Sequence, residues 1–168
     1  MKLRHYIPEL DFSAVSSWIT DERTHAMWCA NRFSFPLTQE NFGAVLHEHA
    51  IKFGECPFVA TTDSGRTIGF FCISVNTETD AAMLKFVVLS PTIRGMGFGH
   101  EMIGLAVKYA FGLAGADAVW LCVFAENTAA RMCYESVGFT EISRNRNAFT
   151  YKDETWGRCN MEIRKENI

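Results

Sequence analysis

Between Leu89 and His100 the segment Leu89-Ser90-Pro91-Thr92-Ile93-Arg94-Gly95-Met96-Gly97-Phe98-Gly99-His100 turns the chain from extended to helical. Upstream, Met83-Leu84-Lys85-Phe86-Val87-Val88-Leu89 is too continuously apolar for a half-exposed strand and predicts a central one, stopped by Pro91. Downstream, Met102, Ala106, Tyr109 and Leu113 fall on one helical face from His100 onward, and Gly112 and Gly115 mark the exit. Glycines 95, 97 and 99 lie between the two elements, where main-chain N–H groups can approach an anion with no Cβ in the way. The helix start adds its positive dipole end and Arg94 adds a full charge, so phosphate is the natural ligand.

Outward from that loop, Val119-Trp120-Leu121-Cys122-Val123-Phe124 reads as a second buried strand. Asn127 can cap a helix over 128–137, with Gly138 in its left-handed exit. Two late alternating segments, 148–151 and 158–163, predict a hairpin around Lys152-Asp153-Glu154. Toward the N-terminus, Phe58-Val59-Ala60-Thr61-Thr62 and 67–75 form a hairpin about Asp63-Ser64-Gly65. Thr38 caps a helix over 40–50, preceded by an aromatic-rich connection from Met27 to Pro36. Asp11 precedes a short first helix carrying Phe12, Val15, Trp18 and Ile19. The order specifies an α/β domain with one mixed layer, and no repeat or linker divides it.

Composition narrows the function classes. A chain of 168 residues holds one core, so a single domain spanning 1–168 is expected. Apolar residues at 48% and charged residues at 21% support a packed interior, and the net charge of -3 gives no general field for nucleic acid or anionic membrane. The start MKLRHYIPEL lacks the apolar run of an export signal, and no apolar stretch approaches the ~20 residues of a membrane helix. A cytoplasmic protein with no membrane or nucleic-acid partner is expected. Cysteines 29, 56, 72, 122, 133 and 159 contain no C-x-x-C pair, which fits buried thiols better than disulfides or zinc, and no metal is expected.

The loop's spacing sorts the phosphate ligands. A nucleoside-triphosphate loop needs Gly-Lys-Ser/Thr where Gly99 is followed by His100-Glu101. A dinucleotide loop needs glycine where His100 stands, with an acid after the second strand, whereas Asp117 precedes Val119. Arg-x-x-Gly-x-Gly, at Arg94, Gly97 and Gly99, does fit, and here the sequence resembles the GNAT superfamily of N-acetyltransferases. The resemblance is close over about residues 58–140 and rests on a second signature, Asn127-x-x-Ala130-x-x-x-Tyr134-x-x-x-Gly138-Phe139, about 30 residues downstream of the first. Its motifs and length are similar to the ribosomal-protein N-terminal acetyltransferase-like branch. The fold it implies is a mostly antiparallel mixed sheet of six to seven strands flanked by about four helices, with strands splayed at the cosubstrate site.

The resemblance also implies roles. Arg94, Gly95, Met96, Gly97, Phe98 and Gly99 would bind the pyrophosphate of acetyl-CoA. Main-chain groups of Val87 and Leu89 would face the pantetheine arm, with an N–H near Leu89 for the thioester oxygen. Asn127 would bond that arm, although an ordinary helix cap explains it too. Tyr134, seven residues on and so about 10 Å along the helix axis, would give a proton to the departing thiolate, unless it is a core tyrosine. Transfer to a primary amine of a small molecule, peptide or protein N-terminus would be direct, and Cys133 is read as packing. The other reading is a catalytically silent acetyl-CoA-binding sensor or interaction module. Where many members carry a glutamate on the fourth strand this chain has Lys85 and Phe86, so Glu78, Asp80, Glu126, His25 and Glu154 remain as candidate bases. Trp28, Phe33, Phe35, Tyr151 and Trp156, with Asp153 and Glu154, are the candidate acceptor contacts, suited to a cationic amine. A homodimer is left open.

Overall fold

The computed structural model describes residues 1–167. Seven strands form one sheet: β1 (Lys2–His5), β2 (Cys56–Thr61), β3 (Thr67–Asn76), β4 (Ala81–Leu89), β5 (Ala118–Phe124), β6 (Thr140–Tyr151) and β7 (Glu154–Arg164). Their order is β1-β2-β3-β4-β5-β7-β6, antiparallel throughout except between β4 and β5. The helices are α1 (Pro8–Ser17), α2 (Glu22–Cys29), α3 (Gln39–Phe53), α4 (Phe98–Gly112) and α5 (Thr128–Val137).

Both faces of the central strands are covered, which is why β3 and β4 are apolar at successive positions. Phe71 and Ile73 of β3 join the cluster beneath α4 and α5. Phe70 and Cys72, one residue out of phase, join the cluster beneath α1, α2 and α3. Phe42, Phe70 and Phe71 are essentially inaccessible, and burying each is worth about 2 kcal/mol.

The loop and both signature helices lie where the sequence places them. α5 begins after Asn127, whose Oδ1 accepts from Ala130 N–H at 3.2 Å, and ends on Gly138 at φ 113°. α3 starts from Thr38 in a reciprocal capping box with Asn41. Three features differ from expectation. β1 is an additional edge strand. The aromatic connection begins as a helix, α2, capped by Asp21, which accepts from Thr24 N–H. Asp11 does not precede the first helix but sits inside it: Pro8 starts α1 a turn earlier, and the Asp11 carboxylate reaches back to Ile7 N–H at 2.8 Å. Buried there, it also accepts from both terminal nitrogens of Arg4 at 2.7 Å and from Thr67 Oγ1 at 2.6 Å, tying β1, α1 and β3 together.

Candidate active site

Two irregularities of β4 create the site. Parallel pairing between β4 and β5 runs only from Ala81/Ala118 to Leu84/Leu121, and beyond it the strands part. On the other side of β4, Phe70 pairs with Val88 and Cys72 with Lys85, so Phe86 and Val87 together oppose Phe71. This β-bulge puts Phe86 at φ 52°, a strained conformation for a bulky residue. Surrounding contacts hold it: the Trp28 indole N–H donates to Phe86 O at 2.8 Å, and the Phe86 ring packs against those of Trp28, Phe33 and His49.

Past the bulge the ladder's alternation decides which main-chain groups are free. Ser90 N–H donates to Ile68 O at 2.9 Å, so Ser90 and Val88 turn their polar groups toward β3, and Val87 and Leu89 turn theirs toward the gap. Leu89 O there receives Arg94 Nη2 at 3.2 Å.

The gap opens on both faces of the sheet. A cavity of about 630 Å³ reaches the α4–α5 side, where Leu89, Arg94, Gly95, Gly97, Gly99 and Tyr134 line it, and extends past the strand gap to Ile19, Arg23 and Thr24 at the N-terminal helices, with Val87 and Asn127 at the gap. Of the residues assigned to the pyrophosphate loop, Met96 and Phe98 stand apart. Met96 projects into solvent, and Phe98 packs on the core.

Gly95 and Gly97 have φ of 77° and 84°, and a Cβ on either would meet nothing within 4 Å. Their glycine requirement is conformational, and their outer side is open to a ligand. Gly99 serves packing instead, since a Cβ there would lie 3.0 Å from Cys133 Sγ and 3.1 Å from Leu89. Gly97 is the cap of α4 and supplies no side chain, so the first-turn N–H groups look into the same space.

On the α2–α3 side a second cavity, of about 340 Å³, is lined by β4 and β5 residues together with Met27, Trp28, Arg32, His49 and Arg158. Both cavities share Met27, Trp28, Val87, Asn127, Ala130 and Tyr134, and so meet at the gap. Burial pushes the Tyr134 phenol well above its ordinary range, which keeps it protonated at neutral pH. Burial likewise raises the Cys133 thiol, which disfavours the thiolate that a covalent route needs.

The expected proton acceptors are occupied elsewhere. His25 is buried with Nε2 at 3.3 Å from Cys29 Sγ, and burial lowers its basicity. Glu126 accepts Gly157 N–H at 3.1 Å. Glu154 binds the Arg23 guanidinium and the Trp156 indole, which hold its carboxyl down at about 2. Glu78 and Asp80 lie in the turn between β3 and β4, outside both cavity linings.

Neither sequence motif points to the group that does border the second cavity. His49 of α3 presents Nδ1 at 3.2 Å to Glu55 Oε1, while Glu55 Oε2 receives Lys85 Nζ at 2.7 Å. Helix, loop and strand meet here only through tertiary packing, so no spacing announces it. The expected acceptor aromatics divide similarly. Trp28 lines both cavities, but Phe33 and Trp156 are buried packing, Trp156 in a cluster with Phe149 and Tyr151.

The model of the acetyltransferase (GNAT) family matches residues 15–139, a span that runs from the last turn of α1 through α5 and includes both signatures. The chain belongs to the GNAT family. Among curated GNAT relatives, the [ribosomal protein bS18]-alanine N-acetyltransferase of Haemophilus influenzae is 33% identical over 103 residues, 60% of this chain and 65% of that protein. The spermidine N(1)-acetyltransferase of Vibrio cholerae is 28% identical over 109 residues, 64% of this chain and 60% of that protein. Each match thus spans just under two thirds of the relative's length. A crystal structure of spermidine N-acetyltransferase from Vibrio cholerae, in complex with CoA and spermine, superimposes with a TM-score of 0.84 over 99% of this chain and 96% of that one, at 20% identity. At that identity the likeness establishes a shared GNAT fold.

Proposed function

We propose that this protein is an N-acetyltransferase that moves an acetyl group from acetyl-CoA to a primary amine by direct transfer across the sheet. The observation that carries the reading is that the two cavities meet at the strand gap, with Tyr134, Asn127 and Val87 common to both linings. Donor and acceptor can approach from opposite faces and react where the strands part.

Acetyl-CoA supplies an activated acyl carbon and a thiolate leaving group. The chain's residues fit that donor: the open outer side of Gly95 and Gly97, the start of α4 with no side chain on its first-turn N–H groups, and Arg94 suit a diphosphate. Main-chain groups of Val87 and Leu89 hold the pantetheine arm, and an N–H in the gap faces the thioester oxygen as it gains charge. The Asn127 amide nitrogen remains to bond the arm while Oδ1 caps α5. The acceptor nitrogen attacks the acyl carbon, the carbon–sulfur bond breaks, and Tyr134 passes its phenolic proton to the sulfur. A phenol raised by burial can still serve, because a thiolate in the same desolvated gap is raised as well. His49, oriented by Glu55, takes the proton lost by the amine, directly or through water.

Thiol release with a panel of amines, together with calorimetry of coenzyme A, tests this reading. Tyr134→Phe should lower kcat by about 10²-fold with coenzyme A affinity within twofold. An unchanged kcat would remove Tyr134 from the proton path, and absence of coenzyme A binding would remove the whole assignment. We further propose that the whole chain works as one cytoplasmic catalytic domain and self-associates. A dodecameric structure of spermidine N-acetyltransferase from Vibrio cholerae, with the same fold, supports self-association, which sedimentation velocity measures.

A further inference from the structure

The acceptor-side cavity carries charge of one sign. Its charged lining is Arg32, Lys85 and Arg158, with no Asp or Glu. Lys85 is neutralised by Glu55 behind it, and His49 leans on the same carboxylate. Arg32 and Arg158 differ from these: among the described residues neither forms a salt bridge. Of the neighbouring carboxylates, Glu154 is committed to Arg23 and Glu22 to Lys152, and Glu126, which accepts Gly157 N–H, lies outside the cavity lining.

Local structure presents both guanidiniums. Arg32 follows Ala30 and Asn31, whose φ of 50° and 57° turn the chain sharply out of α2. Arg158 sits on β7 opposite Phe124, the last residue of β5, at the mouth of the strand gap. One therefore comes from the helical layer and one from the sheet.

Resting on the acetyl-transfer reading above, we propose that the acceptor is an amine bearing an anionic group, a carboxylate or phosphate, which Arg32 and Arg158 bind. A guanidinium fork matches either oxyanion with two parallel hydrogen bonds. A polyamine entering the same space meets charges of its own sign and finds no carboxylate to pair with. The cationic lining has a second effect: like charge nearby lowers the affinity of the amine for its proton, so the neutral nucleophile is more populated. The group that anchors the acceptor and the form that reacts are thus favoured by the same side chains.

Matched acceptors test this at fixed acetyl-CoA: β-alanine against its amide, O-phosphoethanolamine against ethanolamine, a tetrapeptide with glutamate at its second position against one with lysine, and spermidine. The anionic member of at least one pair should exceed its counterpart tenfold or more in kcat/KM, with spermidine slowest. Which pair shows it separates a free carboxylate, a phosphate and an acidic peptide as the source of the anion. Arg32→Gln and Arg158→Gln should each reduce that ratio at least fivefold through KM, with coenzyme A affinity within twofold and an unshifted melting temperature. The proposal fails if spermidine or the lysine peptide is preferred, if the pairs do not differ, or if coenzyme A binds and no amine reacts. Loss of coenzyme A binding itself would instead sink the underlying acetyl-transfer reading.

Discussion

Phe86 occupies a left-handed backbone conformation in the middle of a strand, and one hydrogen bond from Trp28 fixes the carbonyl that this twist exposes. Strain of about 1–3 kcal/mol at such a position persists only where neighbours over-determine it. Trp28→Phe keeps an aromatic ring against Phe33 and Phe42 but removes the donor. It should lower kcat about three- to tenfold with little change in coenzyme A affinity, as steady-state assays and calorimetry would show. An equal loss in both would place Trp28 in donor binding instead. Asp11 illustrates a buried charge with a structural task. Burial alone would raise its carboxyl, but hydrogen bonds from Arg4, Thr67 and the Ile7 N–H outweigh that and hold it below the ordinary carboxylate range. Its stabilisation is therefore present above the unfolded-state value and is lost as pH falls through the lower folded value. Asp11→Asn should cost about 3 kcal/mol at pH 7 and flatten the acid limb of the stability profile, measured by urea unfolding across pH.

At the level of elements, the loop from β4 into α4 separates two uses of glycine. Gly97→Glu forces a side chain into a left-handed cap at φ 84° and sets a negative charge over the first-turn N–H groups. Coenzyme A affinity should fall at least tenfold by calorimetry, and retention of affinity would show that the diphosphate lies elsewhere. Much of this element was legible in the sequence, because its signals are local: an apolar run, Pro91, alternating glycines and a change of period. α5 was legible for the same reason, with Asn127 and Gly138 at its two ends. β1 was not, since its four residues, exposed at Lys2 and His5 and half-buried at Leu3 and Arg4, carry no alternation to read. Within α2, Met27, Trp28 and Cys29 look like the beginning of an aromatic loop until tertiary packing assigns each a neighbour. The bulge at Phe86 and the meeting of His49, Glu55 and Lys85 depend on register and on contacts between distant segments, which residue order does not encode locally. Arg32 and Arg158 are separated by most of the chain and become partners in one cavity only through the fold.

On the scale of the whole molecule, the proposed transfer uses the sheet as a partition, with one reactant on each side. A ligand that binds only the folded chain stabilises it by about 2.7 kcal/mol at a hundredfold excess over Kd. For a chain of this length that corresponds to a rise in Tm on the order of 5–10 °C, readable by differential scanning calorimetry with coenzyme A. Spermidine at the same concentration as the coenzyme A should produce no such rise if the acceptor cavity rejects it.

The ladder between β4 and β5 is only four residue pairs long. It is a short seam joining a four-strand panel to a three-strand panel, while every other neighbouring pair of the long strands is stitched along more of its length. A donor wedged into the open end of that seam would act as a clasp, lending mechanical continuity to a surface whose own main-chain bonds stop halfway.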